Sequence, residues 1–216
     1  MSLSSHMPHF AVDEPARLHA LMAEHPLGTW MTTAPDGSLR ADHVPFLFDP
    51  ARGAHGTLLA HVSRANPVWR DLASTEGAGG RSLVVFHGPQ AYVSPSWYPG
   101  KQAHGKVVPT WNYAVVHVHG RARALDDRAG LLALLERLTA VHERALPAPW
   151  AVGDAPPDFV DRLLGAIVGI EIEIERIEGR FKLSQNRGAE DRAGVAAGLG
   201  GRGDAAAAAV AALMRP

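Results

Sequence analysis

The sequence contains no cysteine. Disulfides, thiolate metal sites, thiol nucleophiles and cysteine-held iron–sulfur clusters are excluded together. Neither charge is in excess: 21 Lys and Arg face 22 Asp and Glu, a formal net charge of −1. Such a chain exerts no overall pull on phosphate backbones or anionic membranes. No apolar run reaches the length of a membrane span, so no membrane association is expected. The opening "MSLSSHMPHF" lacks the basic and apolar regions of a secretory signal. Residues Met1 to His6 are expected to form a leader outside the fold, with 7–216 as a single domain ending in a helical tail. A cytoplasmic location is expected. There is no GxSxG turn, which argues against a Ser–His–acid hydrolase, and no internal repeat.

What is present is an ordinary globular balance: 216 residues, 46% hydrophobic and 20% charged. Asp13 and Pro15 suit the start of a short helix carrying Leu18, Leu21 and Met22 on one side. Pro35-Asp36-Gly37 between two strand-like runs predicts a hairpin. "GTLLAHVSR" predicts a third strand, and "ANPVWRDLA" a brief helix entered at Asn66-Pro67. "SLVVFHGPQAYVS" predicts a long strand interrupted at Gly88-Pro89, where proline removes a ladder donor. A fifth strand runs from "VVPTWNYAVVHVHG" into "RARAL". Leu131, Leu134, Leu135, Leu138 and Val141 mark a helix with one buried face. Phe159, Leu163 and Ile167 mark another, begun at Asp154 and Pro156-Pro157. In "IEIEIERIEG", Ile170, Ile172 and Ile174 alternate with Glu171, Glu173 and Glu175, as on a half-exposed antiparallel strand. An alanine-rich helix, Asp204 to Met214, follows a flexible "GLGGRGD". About six strands without crossover helices predict an antiparallel barrel with peripheral helices.

Four groups of residues could carry chemistry. His117 and His119 share a strand face, and His104 lies near in sequence; a zinc site would need a third convergent ligand. Packing is the simpler reading. In "HVSRANP" a hydroxyl, a guanidinium and backbone amides meet where a strand gives way to a helix. An anion could sit there, held by Arg64; equally, Ser63 and Asn66 could simply cap the helix. Tyr92, Trp97, Tyr98, Trp111 and Tyr113 crowd one region with Lys101 and Lys106, which suits a flat anionic heterocycle, or core packing. The polar neighbours Asn112 and Gln90 need partners if buried. Lys182, Ser184 and Asn186 alternate with Phe181, Leu183 and Gln185, so donors line one face or a solvated turn.

The motifs "ADHVPFLFD", "AHVSRANPVWR", "VVFHGPQAYVSPSWYP", "HGKVVPTWNYAVVHVHG", Pro149-Trp150, "IVGIEIEIERIEGRFKLSQNR" and "DRAGVAAGL" occur in this order. From about Pro8 to Met214 the chain resembles the PaiB-like family of FMN-binding negative transcriptional regulators. The resemblance implies a mainly β, α+β fold: an antiparallel, six-stranded Greek-key split barrel related to pyridoxamine-phosphate oxidase. It further implies a homodimer with FMN at the subunit interface, and a repressor role of the kind described for control of protease production and sporulation. By the same resemblance His61, Ser63 and Arg64 would hold the FMN phosphate. His43, Val44 and Phe46 would lie along the ring. Thr110, Trp111, Asn112, Lys182, Ser184 and Gln185 would close the site, with the partner subunit as one source, and His117 and His119 would pack or face an interface. No helix-turn-helix pattern and no strongly basic helix is present, which argues against direct DNA binding. Regulation would then run through flavin chemistry, a sensed small molecule or a partner. The alternative is an FMN-dependent oxidoreductase on a small planar substrate, for which no catalytic residue is assigned.

Overall fold

The computed structural model describes residues 8–74, 80–101 and 105–215. The expected leader, His104 and most of the "EGAGGR" loop lie outside the described residues. In chain order the elements are β1 (Ala11–Val12), α1 (Pro15–Glu24), β2 (Leu27–Thr33), β3 (Leu39–Pro45), β4 (Leu47–Asp49) and β5 (Thr57–Ser63). Then come α2 (Val68–Ser74), β6 (Arg81–Val93), β7 (Thr110–Leu125), α3 (Arg128–Glu143) and α4 (Pro157–Gly165). The chain continues through β8 (Ile167–Lys182), α5 (Ala189–Gly200) and α6 (Ala205–Leu213).

The fold is mixed α+β with an antiparallel sheet that is not closed. Its strand path is β3-β2-β6-β7-β8-β5-β4, with β1 paired to β8. The described residues hold eight strands rather than six, because β1 and β4 are too short to leave a pattern in the sequence. Placing β2 beside β6 and β5 beside β8 needs long connections between hairpins, which is the Greek-key feature.

The chain divides into two compact units. One comprises Pro26–Val85 and Val118–Ile177. Here the hairpin forms as expected: Gly37 takes φ +83°, and Asp36 accepts from the Ser38 amide at 2.9 Å. A positive φ favours glycine, which fits Pro-Asp-Gly. Trp30 is fully buried, and its indole N–H reaches Ser82 Oγ at 2.9 Å, so the ring is buried without stranding its donor. Leu131, Leu134 and Leu138 bury one stripe of α3, and Asp127 caps that helix at the Gly130 amide. Two expectations fail. Phe159 and Leu163 are 44% and 49% exposed, Leu164 is the buried residue of α4, and Ile167 already belongs to β8. Glu171 does not face water: it is 5% exposed, with Arg123 at 2.7 Å and Arg52 at 2.6 Å. Alternation sorts side chains between faces but does not say which face another layer covers.

The other unit comprises Met1–His25, Phe86–His117 and Glu178–Pro216. Helix α1 starts at Pro15 behind Glu14, which makes no side-chain cap, so Asp13 is not its N-cap. Strand β6 is continuous, but its buried positions run 82, 84, 85 and 86 and then 91 and 93. Alternation thus breaks at 84–86, before Gly88-Pro89, and the strand runs through the proline. Helix α5 takes in the first three residues, 198–200, of the stretch read as flexible. It buries Val195 and Leu199 and lays Gly194 and Gly198 against Trp97. Asp204 caps α6 at the Ala207 amide.

Candidate functional site

The first cluster lies at the end of β5. Alternation leaves His61 half-buried and Ser63 exposed beyond the buried Val62. The backbone then turns, with the Asn66 amide donating to Ser63 O at 2.9 Å. Asn66 Oδ1 accepts from the Val68 amide at 3.0 Å and so caps α2, while its Nδ2 donates to Asp42 at 2.8 Å. The helix end is therefore already occupied by a side chain of its own. Ser63 Oγ accepts from the Ala65 amide at 3.2 Å, leaving its hydroxyl proton uncommitted.

Arg64 is not free in solvent: four of its five N–H donors are taken by protein acceptors. Its Nε donates to Gly165 O at 2.9 Å, one terminal nitrogen to Asp126 Oδ2 at 3.2 Å, and the other to Asp126 Oδ1 at 2.5 Å and to Ile167 O at 3.0 Å. The guanidinium also lies 5.6 Å from the Trp69 ring. The two charges hold each other ionised: Asp126 is shifted down by the hydrogen bond from Arg64, and Arg64 is shifted up by the one to Asp126. His61 is shifted down by burial, and its Nδ1 is buried without a hydrogen-bond partner. A buried polar atom left without a partner in a native fold calls for an explanation, and an absent ligand is one.

On the neighbouring hairpin, His43 is exposed and its Nδ1 lies 3.3 Å from Thr29 Oγ1. Val44 and Phe46 are 5% and 4% exposed and belong to the core, and the Phe46 amide already donates to Pro26 O. Their side chains pack in the core.

The second cluster lies in the other unit, where β7 begins and β8 ends. Asn112 is fully buried; its amide nitrogen reaches Ser184 Oγ at 3.0 Å and Met214 Sδ at 3.6 Å, and its oxygen accepts from Ser184 at 3.2 Å. Ser184 sits at φ +63°, so the chain turns there and the alternation predicted through 181–186 stops. Gln185 folds back, accepting from the Leu183 amide at 2.6 Å and donating to Phe181 O at 2.5 Å. These three residues are committed to each other and to the backbone.

Thr110, Trp111 and Lys182 remain available. Lys182 donates to the Thr110 hydroxyl, and no carboxylate pairs with it among the described residues. Burial lowers its pKa, and Arg180 and Arg187 push it the same way. An anion beside it would do the opposite. Trp111 is 52% exposed and meets the half-exposed Tyr92 edge to face at 6.1 Å. Asp126, absent from the expected set, is the residue that sequence reasoning missed. It lies 62 positions from Arg64, and no local pattern announces the pair.

His117 and His119 are half-buried along β7. No group of three or more His, Asp or Glu is placed to hold a metal among the described residues. Among these residues no helix is long and apolar enough to cross a membrane.

In the first cluster the unpartnered His61 Nδ1 and the uncommitted Ser63 hydroxyl stand in sequence beside Arg64, a set of polar groups that fits an anion.

Comparison with known proteins bears on this fit. Residues 6–176 match the family described as "Putative FMN-binding domain". The chain is 34% identical to protease synthase and sporulation protein PAI 2 of Bacillus subtilis, over 85% of this chain and 83% of that one. It is 34% identical to protein AN0679 of Emericella nidulans, over 92% and 91% of the two chains. In fold it is similar to the FAD and heme binding protein of Mycobacterium smegmatis, with TM-score 0.58 at 18% identity over 85% and 78% of the two chains. It is similar also to the flavocytochrome Anf3 of Azotobacter vinelandii, with TM-score 0.55 at 14% identity over 85% and 75%. The chain belongs to the PaiB-like family of FMN-binding proteins.

Proposed function

We propose that this protein is an FMN-carrying homodimer that regulates gene expression by responding to the state of its flavin or to a small molecule bound beside it. The observation that carries the flavin assignment to these residues is the buried, unpartnered Nδ1 of His61 next to the Ser63 hydroxyl and the Arg64 fork. In this reading His61, Ser63 and Arg64 hold the phosphate, with Arg64 exchanging Asp126 for it. His43 lies along the ring. Thr110, Trp111 and Lys182 close the site from the partner subunit, where Lys182 meets the anionic edge of the ring system. Asn112, Ser184 and Gln185 shape that strand end rather than touch the flavin. Bound FMN would supply one- and two-electron chemistry; the protein orients it and tunes its charge.

The test is an absorbance spectrum of the untreated protein, followed by FMN titration of wild type and Arg64→Ala. Flavin absorbance and at least tenfold weaker binding by the variant are expected. Unchanged affinity would remove Arg64 from the phosphate site. For the regulatory role, a gel shift that persists at moderate salt would establish direct DNA contact, and one lost on adding salt would mark it as non-specific.

The exposed Trp111–Tyr92 pair favours a second reading, an oxidoreductase that stacks a planar substrate there. Turnover-dependent bleaching of the flavin by NAD(P)H would select it.

A further inference from the structure

Three arginines from separate parts of the chain line one cleft of about 490 Å³: Arg17 on α1, Arg192 on α5, and Arg215 just beyond α6. That volume is in the range of small-molecule sites. The remaining walls include Leu183 and Met214, which are 4% and 7% exposed, and Gln185. Among the described residues no Asp or Glu lines the cleft. Among the described residues none of the three arginines forms an ion pair. Arg17 rests its guanidinium 5.0 Å from the Phe181 ring, an apolar support that leaves its N–H groups directed elsewhere. Arg192 Nε is buried and has no acceptor. Nearby carboxylates do not relieve it: Asp191 accepts from the Gly100 amide at 3.1 Å, and Glu190 is exposed.

Three like charges around one hollow repel each other, and a buried guanidinium N–H without an acceptor is costly. Both costs vanish when an oxyanion enters. Among the described residues the one other polar side chain in the wall is Gln185, whose amide is turned onto its own backbone. Recognition therefore rests on charge, and the buried Leu183 and Met214 add room for an apolar body.

We propose that this cleft binds a small organic anion, a phosphate or carboxylate attached to an apolar group, as a site separate from the flavin anchor. Its three arginines are not among the residues assigned to FMN. A ligand there would tie α1, α5 and the end of α6 together, which gives a sensed small molecule a place to act.

The experiment is calorimetric titration of phenyl phosphate, and in parallel benzoate, into purified protein whose flavin content is recorded first. Binding of either anion by the wild type is expected, with benzyl alcohol giving no heat. Arg192→Ala should weaken the bound anion at least tenfold and Arg215→Ala severalfold, with flavin content unchanged. Arg215 is exposed, so its variant keeps the fold should Arg192→Ala not. No heat with either anion, equal affinity in wild type and Arg215→Ala, or release of flavin by the anion would overturn the proposal. Absence of flavin at the outset would count against the flavin assignment alone, since the anion titration can still be read.

Discussion

Arg64 donates to one carboxylate and two carbonyls, so a phosphate that takes its two terminal nitrogens together must displace Asp126. The pair is partly exposed, and such pairs exchange readily. Removing the competing charge while keeping the shape should help a second anion. Asp126→Asn is expected to tighten FMN binding severalfold, measured by quenching of flavin fluorescence; weaker binding would mean that Asp126 orients Arg64 rather than competing for it. His61 gives a pH dependence whose sign is fixed. Burial puts its folded pKa below the ordinary 6.5, so the unfolded chain takes up the proton first as pH falls. Its contribution is intact above about pH 6.5 and is lost below it. The urea midpoint should fall between pH 7.5 and 5.5 in wild type and fall less in His61→Asn. Equal slopes would show that His61 is not buried neutral.

Helix α5 illustrates packing that requires glycine for space rather than for its torsion angles. A Cβ on Gly194 would stand 2.1 Å from the backbone oxygen of Trp97, and one on Gly198 2.3 Å from the Trp97 ring. Glycine to alanine inside a helix ordinarily stabilises by about 1 kcal/mol. Here a backbone atom would have to move, so Gly194→Ala should instead cost roughly 1–3 kcal/mol, read from the urea midpoint. Gly198→Ala should cost less, because a side-chain ring can shift where a carbonyl cannot. A gain in stability from Gly194→Ala would show that α5 does not pack on Trp97 in solution.

The molecule as a whole is proposed to work as two copies. The clusters at 61–64 and at 110–111 with Lys182 lie in different compact units, and in the proposed reading each supplies only part of a flavin site. Light scattering should give twice the 23.0 kDa chain mass, with flavin lost in parallel with dissociation on dilution. A monomer that retains flavin would reject the interface.

By itself the sequence determined the hairpin at Pro35-Asp36-Gly37, the buried stripe of α3, the alternating strands and the flavin-binding family. Turn chemistry and periodicity are local, and long ordered motifs carry ancestry. The tertiary structure alone decided that Glu171 is buried between two arginines, that Asn112 and Ser184 satisfy each other, that Asp126 holds Arg64, and that three arginines meet in one cleft. Each depends on which distant segments are brought together, and side-chain spacing along a single segment carries no record of what the fold places opposite it.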